Sequence, residues 1–500
     1  MAWRRQFQQF LLSLNVVLHV SYAQAPTPYA TPTGLASDIT SYLEASSSSE
    51  AGLAKTLMFA NIDVDNSANG TVIAAQSYSN PNYAYNWVRD ASLTMDVVQS
   101  LYAAATSDAA RDNYANILFA YAGARTAEQN DPDLQTGLGE PKFNLNNTVF
   151  TGPWGRPQND GPATSATTLM QFATAYMNNG GSQDTVNDQI YQAPVKADLL
   201  FVASNWSSPS FDIWEEESSN HFYNRLVSHR ALVLGAAFAT KMGDDSTSST
   251  LSSAASDVAN SLSVFWDADL GIIKYEDGPV LNNKNSYQDI AVILGVIHGY
   301  NDDGVFSYSN DQVLSTAYHL AISFLDAYPI AANQHTDSSG ASLGIPIGRY
   351  PEDIYTGTGT AENGGNPWFL CTAAMAELFY RAASDLQSAG QLTVSNTSLL
   401  FWTYFSPGAN LSEDTYSSDS DGFKGAIAAL QGWGDAFIRL IQYHGGDGGH
   451  LSEEYDRNSG VMVGAADLTW SYASVITAAF ARAEQSGDDS YVQDLANLGF

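Results

Sequence analysis

Apolar residues return with a period of 3.6 along nearly the whole chain, and this pattern constrains the fold more than any other feature of the sequence. It marks helices near residues 51–62, 91–106, 109–127, 163–178, 187–204, 219–241 and 248–265, then near 286–299, 311–327, 367–384, 423–444 and 467–484. Shorter helices are expected around 36–47 and 487–497. Alternating β-branched runs between hairpin turns are scarce, so only short strands should form. The expected class is all-α. A dozen or so helices, joined alternately by short turns and by long aromatic loops, suit a closed ring of helical hairpins better than a short bundle. No repeat of fixed short period points to an open solenoid.

The 500 residues carry no linker or low-complexity tract, which favours one large domain. Against 20 Lys and Arg stand 53 Asp and Glu, a formal charge of −33 that repels phosphate backbones and anionic lipid heads. Neither nucleic acid nor a membrane surface is an expected partner, and self-repulsion favours a soluble monomer. Arg4 and Arg5, an apolar stretch from Phe10 to about Val20, and Ala23-Gln24-Ala25 before Pro26 read as a cleavable signal peptide over residues 1–25. Residues 26–500 then form a single secreted, extracellular domain. The apolar stretch is shorter than the ~20 residues that span a bilayer. Sequons at Asn69, Asn146, Asn205, Asn396 and Asn410 fit passage through a glycosylating pathway. Cys371 is alone, so no intramolecular disulfide is available, and its apolar surroundings mark it as core filler.

Four long loops combine Trp with Asp, Glu or Arg, and each leads into a helix. They are Tyr85-Asn86-Trp87-Val88-Arg89-Asp90, Asp212-Ile213-Trp214-Glu215-Glu216-Glu217, Arg349-Tyr350-Pro351-Glu352-Asp353 through Asn366-Pro367-Trp368, and Leu451-Ser452-Glu453-Glu454-Tyr455 through Asp467-Leu468-Thr469-Trp470. Pro367 suits a first helical turn, and Asp90 or Asp467 an N-cap. If successive inner helices run the same way around a ring, these loops meet on one rim and form a pocket.

Acids ahead of a helix ordinarily complement its macrodipole. Three adjacent Glu after a Trp also repel one another, which pushes a half-buried member toward the neutral form that a general acid needs. Cleavage of a glycosidic bond requires two carboxyl groups flanking it, one to protonate the leaving oxygen and one to activate water or attack the sugar. Glu215 and Glu453 fit as that pair, the second lying just after the flexible Gly445-Gly446-Asp447-Gly448-Gly449. Asp212 is the rival base, although its i, i+3 spacing puts it on the side of Glu215 if the segment is helical. Arg89, Asp90 and Arg349 suit forked hydrogen bonds to sugar hydroxyls, or structural ion pairs.

Other chemistries fit less well. Gly340-Ala341-Ser342-Leu343-Gly344 has the spacing of an esterase elbow but neither its preceding strand nor its following helix. The eight His show no clustered ligand spacing and no phosphate-binding Gly motif is present, so neither a metal nor a cofactor is expected.

At these residues the chain resembles the fungal glucoamylases of glycoside hydrolase family 15, over roughly residues 35–485. Gly152-Pro153-Trp154-Gly155-Arg156-Pro157-Gln158-Asn159-Asp160-Gly161-Pro162-Ala163 and Gly348-Arg349-Tyr350-Pro351-Glu352-Asp353 carry the resemblance together with the four loops. It implies an (α/α)6 barrel, and release of β-D-glucose from non-reducing ends of starch and maltooligosaccharides with inversion, faster at α-1,4 than at α-1,6 bonds. It also implies Glu215 as general acid, Glu453 as general base and Asp212 as a supporting acid. Tyr83, Arg89, Asp90, Trp214, Glu216, Arg349 and Trp470 would line the first glucose site, with Trp154 and Trp368 as neighbouring platforms. An inverting enzyme holds its carboxyls ~6.5–9.5 Å apart to admit water.

Departures from the family pattern carry expectations too. Glu454 stands where relatives often carry Gln, which would raise the pKa of Glu453. Residues 357–365 are longer than in some relatives, and no starch-binding module or Ser/Thr-rich linker is seen, so raw granules should be digested poorly. The alternatives are an inverting hydrolase of dextran or trehalose on the same fold, and a glycan-binding protein without turnover.

Overall fold

The computed structural model describes residues 31–279 and 283–500, so the expected signal peptide lies outside the described residues. Six helices form an inner ring: Val88–Ala104, Asp160–Asn178, Phe222–Lys241, Ala291–Gly299, Phe369–Ala389 and Thr469–Ser486. Each packs on the next, and the sixth returns to the first, which closes the barrel. Six outer helices back them one by one: Asp108–Gln129, Lys196–Asn205, Asp245–Ser261, Asp311–Ala327, Asp421–His444 and, behind the last inner helix, Glu50–Phe59. This is the expected (α/α)6 barrel. Strands among the described residues are two to four residues long and pair only as separate two-stranded ladders or single bridges.

Residue type decides which ring a helix joins. The outer helix Asp245–Ser261 buries Leu251, Ala254, Ala255 and Val258 on one stripe, as an amphipathic surface helix does. The inner helix Thr469–Ser486 buries residues on every side, most of them Ala, Ser or aromatic. Small residues let inner helices approach closely. A Cβ on Gly299, at the end of the fourth inner helix, would lie 2.8 Å from the backbone of Leu226 on the third.

Boundaries differ from the periodic pattern where a local cause intervenes. The segment expected at 187–204 breaks at Pro194, with Ala193 at φ −156° and ψ 124°, because the proline ring supplies no N–H to the preceding turn. The first inner helix starts at Val88, since Asn86–Trp87 pairs with Lys142–Phe143, so Asp90 sits inside the first turn rather than at the N-cap. Asp467 likewise precedes the N-cap Leu468, and Pro367 precedes the N-cap Trp368. Leu399–Phe405 is a helix too short and too aromatic to show a period. None of the six inner helices is capped by its own N-cap side chain, whereas Asp244, Asn310 and Ser420 cap outer ones. The inner N-termini, with their positive dipole ends, all enter from long loops at one rim.

Among the described residues no helix is long and apolar enough to cross a membrane. Asn69, Asn146, Asn396 and Asn410 are exposed, while Asn205 is half-buried with its side-chain amide donating to the Phe201 carbonyl at 2.9 Å. Cys371 is free and buried.

Candidate active site

The rim loops enclose a cavity of about 190 Å³ lined by Tyr83, Trp87, Arg89, Asp90, Trp154, Trp214, Glu215, Glu216, Arg349, Tyr355, Trp368, Glu453 and Trp470, with Ala74, Ile213 and Leu468. Every residue expected at the site is among them except Asp212.

Glu215 stands at the tip of a hairpin, not on a helix: Ser210 pairs with Ser219 and Phe211 with Ser218, and Glu215 itself has φ +67°. That left-handed geometry costs a non-glycine residue about 1–2 kcal/mol, and Asp212 holds it in place. The Asp212 carboxylate accepts from the backbone N–H groups of Glu216 at 2.7 Å, Glu217 at 2.9 Å and Trp214 at 3.3 Å, and its carbonyl accepts from Glu215 N–H at 3.0 Å. Burial pushes the Asp212 pKa up, but the Lys284 ammonium and these donors outweigh it and hold the pKa below the usual value. The helical i, i+3 reading of Asp212 and Glu215 is therefore corrected. Asp212 shapes the turn from outside the cavity.

The three consecutive Glu diverge instead of repelling. Glu215 Oε1 accepts from Trp87 Nε1 at 2.7 Å and Gln158 Nε2 at 2.9 Å, with Arg89 Nη2 at 3.8 Å. Glu216 meets Arg349 Nη2 at 2.8 Å and the Tyr350 hydroxyl at 2.7 Å. Glu217 turns inward, 3.4 Å from Lys284 Nζ, and burial raises its pKa. Lys284 is fully buried and also lies 3.6 Å from Asp212, 3.7 Å from Glu216 and 3.2 Å from Asp289. Burial opposes its charge, yet these carboxylates raise its pKa.

Glu453 faces the same cavity from the last loop and is 1% exposed. Its Oε1 accepts from the Tyr83 hydroxyl at 2.8 Å and its Oε2 from the Ala465 N–H at 3.2 Å. Burial pushes its pKa up to about 7, against the lowering effect of these donors and Arg349. Gly464 makes room for it: a Cβ there, at φ +77°, would lie 2.5 Å from Glu453 Oε2. A two-ring wall joins the two carboxylates. Tyr83, bonded to Glu453, packs at 5.7 Å on Trp87, which is bonded to Glu215.

Charged and aromatic side chains complete the lining. Arg349 grips Asp353 through Nε at 2.7 Å and Nη2 at 2.6 Å, and lies 5.5 Å from the Trp214 ring and 5.6 Å from that of Trp368. Arg89 donates to Asp160 at 2.9 Å and Gln158 at 3.0 Å, 5.9 Å from the Trp470 ring. Asp90 lies 3.8 Å from Arg89, and burial raises its pKa to about 6. Trp214 stacks on Trp470 at 6.4 Å and anchors its Nε1 on Asp289 at 2.9 Å. A second cavity of about 210 Å³ shares Trp470 as a wall, and there Arg381 pairs with Glu377 at 2.7 Å.

Trp87, Gln158, Tyr355, Lys284 and Asp289 belong to the site or its support, although the sequence alone does not single them out. Trp87 and Gln158 lie within Trp-containing motifs, but nothing local announces that their N–H groups meet one oxygen of Glu215. Tyr355 bonds Tyr83 hydroxyl to hydroxyl at 2.9 Å. The esterase-like Ser342 lies in a loop bridged to Thr336, away from the cavity lining.

Comparison with known proteins gives one answer. The profile described as Glycosyl hydrolases family 15 matches residues 52–480. A glucoamylase of Blastobotrys adeninivorans is 54% identical over 486 residues, covering 95% of this chain and 77% of that protein. The solved glycoside hydrolase family 15 glucoamylase from Hypocrea jecorina superposes with a TM-score of 0.78 at 33% identity, covering 87% of this chain and 71% of that one. A glucoamylase structure from Saccharomycopsis fibuligera gives 0.78 at 31% identity, with 87% of this chain and 94% of that one covered.

Proposed function

This chain belongs to glycosyl hydrolase family 15, and from that membership we propose how it works as a glucoamylase, with Glu215 as general acid and Glu453 as general base. The reading rests on one observation: two carboxylates from remote loops line one small cavity in contrasting environments. Both donors to Glu215 bond Oε1, which leaves Oε2 to carry the proton. That proton passes to the glycosidic oxygen as its bond to C1 breaks. A water on the opposite face of the sugar attacks C1 and gives its proton to Glu453, so the anomeric centre inverts. Solvent then returns a proton to Glu215 and removes one from Glu453.

Binding falls to the other lining residues. Asp353 and Glu216 occupy Nε and Nη2 of Arg349, which leaves Nη1 for a sugar hydroxyl. Asp90 and Glu216 offer acceptors, and Trp214, Trp368, Trp154 and Trp470 offer ring faces. The cavity is small beside the ~300–1,000 Å³ of pockets that hold drug-sized ligands. It takes one sugar ring at its inner end, which supports release of single glucose units from non-reducing ends of starch and maltooligosaccharides. Secretion belongs to the same proposal.

Proton NMR of the first glucose formed from maltoheptaose tests the reading. The β anomer should precede mutarotation, and an initial α anomer would overturn it. Maltose should be cleaved faster than isomaltose, and trehalose left intact.

A further inference from the structure

One buried cation near the acid makes no direct ion pair among the described residues. Lys142, on the strand opposite Trp87, is 2% exposed, and its ammonium makes no ion pair or hydrogen bond among the described residues. Four rings surround it: Trp154 at 3.4 Å, Tyr85 at 4.2 Å, and Trp87 and Phe150 at 4.3 Å each. The rings touch one another in a closed circuit, Tyr85 to Trp87 at 6.1 Å, Trp87 to Trp154 at 5.8 Å, Trp154 to Phe150 at 5.7 Å and Phe150 to Tyr85 at 5.3 Å. Burial pulls the Lys142 pKa down to about 8 while the charge of Glu215 pulls it up, so the amine stays protonated in acid.

Burying an ammonium without a direct ion pair is costly, and a Met of similar shape would fill the box without that cost. The box has a second property. Two of its walls, Trp87 and Trp154, line the cavity, and Trp87 donates its indole N–H to Glu215 Oε1 at 2.7 Å. A cation against the face of an indole draws its π density inward and strengthens the ring N–H as a donor. The same field favours the carboxylate that Glu215 becomes once its proton has left.

From this geometry we infer that Lys142 is a positioning residue of the acid arm, which locks Trp87 against Glu215 and sharpens its hydrogen bond as the proton leaves. The inference rests on Glu215 being the acid.

The test compares a leaving group that needs protonation with one that needs little. Lys142→Met should lower kcat on maltose by roughly tenfold or more and kcat on α-D-glucosyl fluoride by less than about threefold, with KM within about threefold on both. Lys142→Arg, which restores the charge, should recover part of the maltose rate. Equal losses on the two substrates, or none, would overturn the inference. Should Lys142→Met not fold, Phe150→Leu opens one wall while keeping Lys142 and Trp87, and the same split is expected at smaller size. An equal loss there is equally fatal. Glu215→Gln separates the two levels of the argument: if it loses fluoride turnover as fully as maltose turnover, the acid assignment itself is wrong, whatever Lys142 does.

Discussion

The loops that carry Glu215 and Glu453 meet across one cavity but are built on opposite plans. The side chain of Glu215 is 18% exposed, sits at a positive φ, and takes its donors from two other loops through Trp87 and Gln158. Glu453 is 1% exposed and takes one donor from its own loop, the Ala465 N–H, and one from Tyr83. An acid that must regain a proton from solvent in every cycle benefits from access and from a fixed oxygen. A base that handles one water benefits from enclosure, and enclosure is what raises its pKa to about 7. The acid loop is correspondingly the more heavily buttressed: Asp212 fixes its backbone, and Lys284 neutralises the carboxylates beneath it. Around the base the support is mainly a matter of space: a Cβ on Gly464 would lie 2.5 Å from Glu453 Oε2, and one on Gly357 would collide with Gly464 itself.

The hardest way to break this contrast is to neutralise each carboxyl in turn. Glu215→Gln and Glu453→Gln should each lower kcat on maltose by about 10²–10⁴-fold, with circular dichroism unchanged. Azide, a small nucleophile that needs no base, should restore turnover of α-D-glucosyl fluoride by Glu453→Gln but not turnover of maltose by Glu215→Gln. Rescue of the wrong partner would exchange the two roles.

Why one arm was easier to read from sequence than the other follows from where its support comes from. The helices were legible because their apolar periods are long, and the meeting of loops at one rim followed once inner helices shared a direction. The Trp-acid motifs named nearly all of the cavity lining. The supports of the acid were hidden because they are long-range. Lys284 lies in a segment without Trp, and only its buried place among Asp212, Glu216, Glu217 and Asp289 reveals its role. In a chain with 20 basic residues against 53 acidic ones, each acidic cluster that is buried needs one of few cations, and that scarcity is the signal the sequence holds. Helical spacing misplaces Asp212 because it opens a turn whose positive φ at Glu215 no local pattern announces.

A milder intervention sharpens the base side alone. Tyr83→Phe removes a donor that favours the ionised form of Glu453, so the carboxyl pKa should rise. Because the base must be ionised, activity falls as pH drops through that pKa, and the acidic limb of kcat/KM should move to higher pH by up to about one unit. The alkaline limb should hardly move. A shift of the acidic limb to lower pH would mean that Tyr83 does not act on the base.

The smallest effect on rate is expected next door, at Glu454. Burial, then the charge of Glu453, raises its pKa to about 9, while Asn366 donates to it at 2.8 Å. The adjacent acids thus resolve their repulsion by leaving the proton on Glu454, not by displacing the pKa of Glu453 as the sequence suggested. Glu454→Gln mimics that neutral form, so kcat/KM in acid should change by less than about twofold, with its acidic limb in place. Stability should respond instead. A carboxyl whose folded pKa exceeds its unfolded value stabilises fully below the unfolded pKa of about 4.5, and that contribution is lost as pH rises toward about 9. The Tm of Glu454→Gln should match the parent near pH 4 and exceed it increasingly up to pH 8. A constant difference across that range would mean that Glu454 is ionised in the folded protein, and the base would then work beside a second negative charge.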